Sequence, residues 1–107
     1  MATHKRTPAD ATTDIRALAA TLHFNLYFTR HALTQMEERN LLTGDALNVL
    51  KKGFVLDDTE PSTHDGFWKY KMIGTSPNSH NREVAVIIIP DFDHDEAKVV
   101  TVFWVDE

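Results

Sequence analysis

The chain has no cysteine, which excludes a disulfide scaffold, thiolate zinc sites and a cysteine nucleophile. Glycine and proline are scarce, four of each, and no internal repeat or low-complexity segment is present. No apolar run approaches the ~20 residues of a membrane helix. The stretch from Met1 to Thr13 lacks the apolar region of a secretory signal, so a cytoplasmic protein with no membrane partner is expected. G-x-S-x-G, P-loop and dinucleotide fingerprints are missing. His64, His80 and His94 have no paired spacing such as H-x-x-x-H, so no metal and no cofactor is expected. Asp91, Asp93 and Asp95 begin like a calcium loop, but Glu96 stands where that loop needs glycine and Val102 where it needs a carboxylate.

With 107 residues the chain suits one domain with a real core. The net charge of −5 counts at first against indiscriminate nucleic-acid binding. Its distribution changes that reading. Residues 1–83 are neutral, with ten basic and ten acidic side chains. Residues 84–107 carry the whole excess, with Lys98 against Asp91, Asp93, Asp95, Glu96, Asp106 and Glu107. The field at one face decides binding, so a local phosphate-binding surface remains open.

Residues 1–9 read as a flexible tail and 10–107 as a single domain. Ile15, Leu18, Ala19 and Leu22 recur at helical spacing, predicting a first helix from Asp10 to about Leu22. Phe24, Leu26 and Phe28 alternate as in a strand, unless the helix runs straight through. Thr29 suits an N-cap for a helix from about Arg30 to Asn40. Thr43 suits a second N-cap, and Gly53 suits a left-handed helix end. The second half is strand-like: Phe54 to Asp57, Phe67 to Ile73, Val84 to Ile89 and Val99 to Val105, with turns at Pro61–Gly66, Gly74–Asn81 and Pro90–Glu96. The continuously apolar Val84–Ile89 predicts a central strand covered on both sides. The order predicts an α+β fold, a small curved antiparallel sheet packed with two or three helices.

His31 is the leading candidate for chemistry. It follows a helix cap and Arg30, where backbone amides attract anions, and a histidine there can hold phosphate or move a proton near neutral pH. The plain alternative is a polar residue at a helix start. Arg39 lies eight residues on, about 80° off the same face, where a salt-bridged arginine is the common outcome. Lys69 and Lys71 share one strand face. They suit either a cationic surface for phosphate or an edge strand guarded by lysines. Tyr70 lies on the opposite face with Trp68, which suits core packing with the hydroxyl at the rim.

The run Phe28-Thr29-Arg30-His31-Ala32-Leu33, followed by Met36 and Arg39, resembles the opening motif of a bacterial domain family of unknown function, number 4258. Lys52-Gly53, Trp68-Lys69-Tyr70 and the run from Val99 to Trp104 match its later elements. The resemblance spans roughly residues 15–105 and implies kinship with RelE-like, BrnT-like and MqsR-like ribonuclease toxins, hence a RelE-like domain. It implies a metal-independent endoribonuclease, the toxin of a toxin–antitoxin pair, with RNA as substrate and an antitoxin as partner. His31 would then be base or acid, Arg39, Lys69 and Lys71 would hold the phosphate, and Thr101 would orient ribose or phosphate. Arg30, Tyr70 and Arg82 would contact RNA, and Trp104 is a further stacking candidate. The chain departs from such toxins, commonly basic, in being acidic. The competing expectation is a non-catalytic interaction module whose acidic C-terminal hairpin binds a basic partner.

Overall fold

The computed structural model describes residues 5–57, 60–61, 66–76 and 80–107, with 60–61 in backbone only. The turn expected at Pro61–Gly66, with His64, lies largely outside the described residues.

Helix α1 (Pro8–Ala19) begins and ends earlier than the alanine-rich run suggests. Thr7 accepts a bond from the Asp10 amide at 3.2 Å, and Pro8 fills the first position, where its missing N–H costs nothing. At the other end the Ala20 amide is shared between the Arg16 and Ala17 carbonyls, which tightens the last turn and leaves Leu22 exposed. Residues expected in the tail meet the domain. The Arg6 amide donates to the Tyr70 hydroxyl at 3.0 Å, and its guanidinium pairs with Asp14 and lies 3.8 Å over the Phe92 ring.

The alternating segment is a strand, β1 (Asn25–Phe28). Thr29 then caps α2 (Arg30–Glu38), accepting from the Ala32 amide at 3.1 Å. Helix α3 (Thr43–Lys52) starts one residue after its cap, Leu42, so Thr43 is inside the helix and not the cap. Asp45 does the capping by reaching back to the Leu42 amide at 2.8 Å, and its other oxygen accepts from Ser76 at 2.9 Å. Gly53 is also corrected. Its backbone is extended, not left-handed, and glycine is required because a Cβ would meet the Val49 and Ile73 carbonyl oxygens at 2.6 Å.

The strands β2 (Phe54–Val55), β3 (Glu60–Pro61), β4 (Trp68–Thr75), β5 (Glu83–Asp91) and β6 (Glu96–Trp104) complete an open sheet of order β1-β6-β5-β4-β2, with β3 also on β4. β4, β5 and β6 form the expected antiparallel meander. One edge departs from the antiparallel expectation, since β1 runs parallel to β6. Everything from α2 to β5 intervenes between them, the long crossover that parallel neighbours need. The tight turn between β5 and β6 is one 3-10 turn (Phe92–His94) closed by a left-handed Asp95.

The three helices pack on one face of the sheet. Ile15, Leu18, Ala32, Met36, Val49 and Leu50 join a single core with Tyr70, Met72, Val84, Val86, Ile88, Val99 and Val102. The expected cover on both sides of β5 is not found among the described residues. Ile87 and Ile89 are half-exposed on the other face, where Ala85 is buried between larger strand neighbours Ile73 and Phe103. No helix of the described residues is long and apolar enough to cross a membrane.

Candidate functional site

Strand pairing assembles a row on the open face. Lys71 lies opposite Ile87, and Ile87 opposite Thr101. Two strand spacings put the outer Cα atoms about 10 Å apart. Thr101 thus shares a face with the lysines. A β-bulge makes this possible near Lys98. Ile88 pairs with Val99 but Ile87 with Thr101, so Val100 is extra. Lys98 and Thr101, three residues apart, would otherwise point to opposite faces.

The same bulge receives α2. β1 ends at Phe28, leaving the outer edge of β6 beyond Val99 without a strand. Helix α2 takes its place. The Thr29 amide donates to the Val99 carbonyl at 3.0 Å, and the Thr29 hydroxyl to the Val100 carbonyl at 3.5 Å. Further along, the buried Val102 amide donates to Gln35 Oε1 at 3.0 Å. His31 precedes Gln35 by four residues and so lies on the same flank, one turn nearer the bulge. It is exposed in the first turn of α2, between the Thr29 and Gln35 bonds that tie the helix to the β6 edge. The row offers a hydroxyl and an ammonium, and the helix start docked beside it offers an imidazole and electropositive amides. Those groups can transfer a proton and stabilise an anion.

The remaining candidates are placed differently. Arg39 stands past the end of α2, about 12 Å along the axis from His31. It pairs with Glu107 at 2.6 Å and donates to the Gln35 carbonyl at 3.3 Å. The Glu107 hydrogen bond raises Arg39 above the ordinary arginine value, and Arg39 in turn holds Glu107 below the usual carboxylate range. Arg82 forms two bonds to Asp106, at 2.6 and 3.1 Å, and lies 4.1 Å over the Trp104 ring. Lys71 pairs with Asp57 at 3.0 Å, an exposed contact that water and salt weaken. Among the described residues Arg30, Lys69 and Lys98 make no ion pair. Tyr70 requires a correction. Only 2% of it is exposed, and its hydroxyl is bonded to Arg6, so its ring faces the core and cannot stack on a base. Trp104 packs against the core edge beneath Arg82.

Sequence reasoning missed Gln35, whose only signal is its four-residue spacing from His31. It also missed a hollow of about 400 Å³ at the hairpin end of the open face, lined by Tyr27, Phe67, Ile89, Asp91, Glu96, Ala97 and Lys98. The alternation in each strand marks these faces, but the register that joins them is tertiary. Among the described residues no cluster of three or more histidines or carboxylates could hold a metal ion. Asp91 is engaged by His94 at 2.9 Å.

A family model described as a domain of unknown function (DUF4258) matches residues 28–104. No curated protein and no solved structure matches the chain.

Proposed function

The chain belongs to the DUF4258 family, and on that premise we propose that it is a metal-independent endoribonuclease, the cytoplasmic toxin of a toxin–antitoxin pair. The observation that carries this reading is that α2, with His31 exposed in its first turn, docks on the edge of β6 at Val100, next to Thr101, whose row across the open face leads to Lys71. RNA is cleaved when a ribose 2′-oxygen attacks the adjacent phosphorus and the 5′-oxygen of the next nucleotide leaves. The products are a 2′,3′-cyclic phosphate and a 5′-hydroxyl. His31 takes one of the two proton transfers, and solvent takes the other. Lys71, released from Asp57, and Lys69 balance the charge growing on phosphorus. Thr101 orients the ribose or phosphate, and Arg30 meets the flanking backbone. Arg39 and Arg82 act on RNA only after exchanging Glu107 and Asp106 for phosphate. An antitoxin would restrain the protein by covering this face.

The test is expression of the wild type and His31→Ala without any partner. His31 is exposed and makes no bond that the cap needs, so the variant should fold. Wild type should arrest growth and degrade RNA, and His31→Ala should cleave about 10²–10⁴-fold more slowly. Equal growth with intact RNA in both rejects the enzyme.

A second reading has its own support. Arg39, Lys71 and Arg82 are all ion-paired within the chain, while Asp93 and Asp95 stand exposed on the hairpin. That balance suits a non-catalytic module docking a basic partner. Replacing Asp91, Asp93 and Asp95 by Asn should then weaken capture of that partner, and unchanged affinity rejects it.

A further inference from the structure

We propose that the hollow at the hairpin end of the open face is a guanine-binding subsite, an inference that rests on the ribonuclease reading and adds its base preference. The volume of about 400 Å³ lies within the range of small-ligand pockets, roughly 300–1,000 Å³. Its lining is mixed in a specific way. Tyr27, 54% exposed, and Phe67 supply aromatic surface. Ile89 is half-exposed on β5, directly across from Lys98 and two residues before Asp91. Asp91 and Glu96 form a cross-strand pair, and Lys98 lies opposite Ile89 and beside Tyr27. Ile89 is two residues from Ile87 in β5, so this row lies about 7 Å from the Lys71–Ile87–Thr101 row, beside which α2 begins. That is a short step along a single RNA strand.

The polar groups choose among bases. Single-stranded bases are held by stacking on aromatic rings and by hydrogen bonds to their Watson–Crick edges. Guanine presents two neighbouring donors, N1–H and N2–H, followed by the O6 acceptor. One carboxylate accepts both donors, and an ammonium beside it donates to O6. Asp91 is already held by His94, whereas Glu96 makes no hydrogen bond or ion pair among the described residues. Glu96 is therefore the available carboxylate and Lys98 the adjacent donor. Adenine and cytosine offer one donor beside an acceptor, and uracil one donor between two acceptors. Each of them sets a lone pair against Glu96. An arginine side chain from a protein partner would stack and pair with Glu96, but it would set a second cation against Lys98.

The experiment titrates the full chain with GMP, AMP, CMP and UMP, following the backbone amides of Tyr27, Ile89 and Lys98 by NMR. GMP should bind about tenfold tighter than each of the others. Glu96→Gln should remove that preference, and Tyr27→Ala should weaken all four nucleotides together. Spectral dispersion reports whether each variant is folded. Equal binding of the four, no binding, or a guanine preference that survives Glu96→Gln overturns the subsite. So does binding of a hexa-arginine peptide at these amides with GMP silent. The two readings fail separately. Guanine selectivity in a protein that cleaves no RNA rejects the nuclease and keeps the subsite. Cleavage without nucleotide selectivity does the reverse.

Discussion

Strand β6 has two faces with different tasks. Val99 and Val102 are fully buried against the helices, whereas Lys98 is exposed and Thr101 half-buried on the open face. One face carries the apolar burial that holds the domain together. The other holds a hydroxyl and one cation, Lys98, which makes no ion pair among the described residues. The bulge at Val100 lets one strand serve both, because it resets the alternation between Val99 and Thr101.

Paired substitutions in β5 should expose this division most strongly. Ile88 is fully buried on the helix side, while its neighbour Ile87 is half-exposed between Lys71 and Thr101. Ile88→Ala should cost about 2–5 kcal/mol in urea unfolding through lost burial and a residual cavity. Ile87→Ala should cost about 1 kcal/mol, the transfer of partly wetted methylenes. Equal losses would show that the open face is a second core.

A smaller effect should appear where the two faces meet. Gln35→Leu leaves the buried Val102 amide without its acceptor, a loss of about 1–3 kcal/mol. Amide exchange at Val102 should accelerate, and Gln35→Glu, which keeps an acceptor, should restore much of its protection. Under the nuclease reading Gln35→Leu should also slow cleavage, since the flank that carries His31 is no longer tied to the bulge. Unchanged exchange at Val102 would separate α2 from the β6 edge.

The boundary between what the sequence reveals and what it hides follows from range. The Thr29 cap and the β4–β6 meander depend on neighbours a few residues apart, and periodicity and capping rules reach that far. The shared face of Lys69 and Lys71 is equally local. Asp45 capped α3 where Thr43 was expected, because a third-position carboxylate can do the work of a cap side chain. Gly53 was right as a helix end and wrong in conformation, since the need for glycine comes from the Ile73 carbonyl twenty residues away. The parallel pairing of β1, the bulge and the hollow all depend on register between distant strands, which no local pattern encodes. Tyr70 shows the limit from the other side. Alternation places its ring in the core, as found, whereas the resemblance implies a contact with RNA.

The weakest expected effect compares the two ends of the sheet by pH. At the C-terminal end, hydrogen bonds from Arg82 and Arg39 hold Asp106 and Glu107 below the usual carboxylate range, and Glu107 Oε1 also accepts from the Trp104 amide at 2.7 Å. Carboxylates depressed on folding stabilise above their unfolded values and lose that contribution as pH falls through the lowered ones. At the hairpin end the Asp91 hydrogen bond raises His94 above the ordinary histidine value. A histidine raised on folding contributes fully below its unfolded value and loses that contribution as pH rises through the raised one. The ends should therefore loosen in opposite directions, the Arg39–Glu107 and Arg82–Asp106 pairs in acid and the Asp91–His94 pair toward alkali. All of these pairs are solvent-exposed, so the global unfolding midpoint should scarcely register them. Residue-resolved NMR will: the Arg82 and Trp104 side-chain signals should hold through mild acid and shift only below the usual carboxylate range. The His94 ring should titrate above its ordinary midpoint and move back toward it in Asp91→Asn. Arg82 and Trp104 signals that shift already within the usual carboxylate range would mean that the C-terminal pairs do not form in solution, and Arg39 and Arg82 would then be free for phosphate.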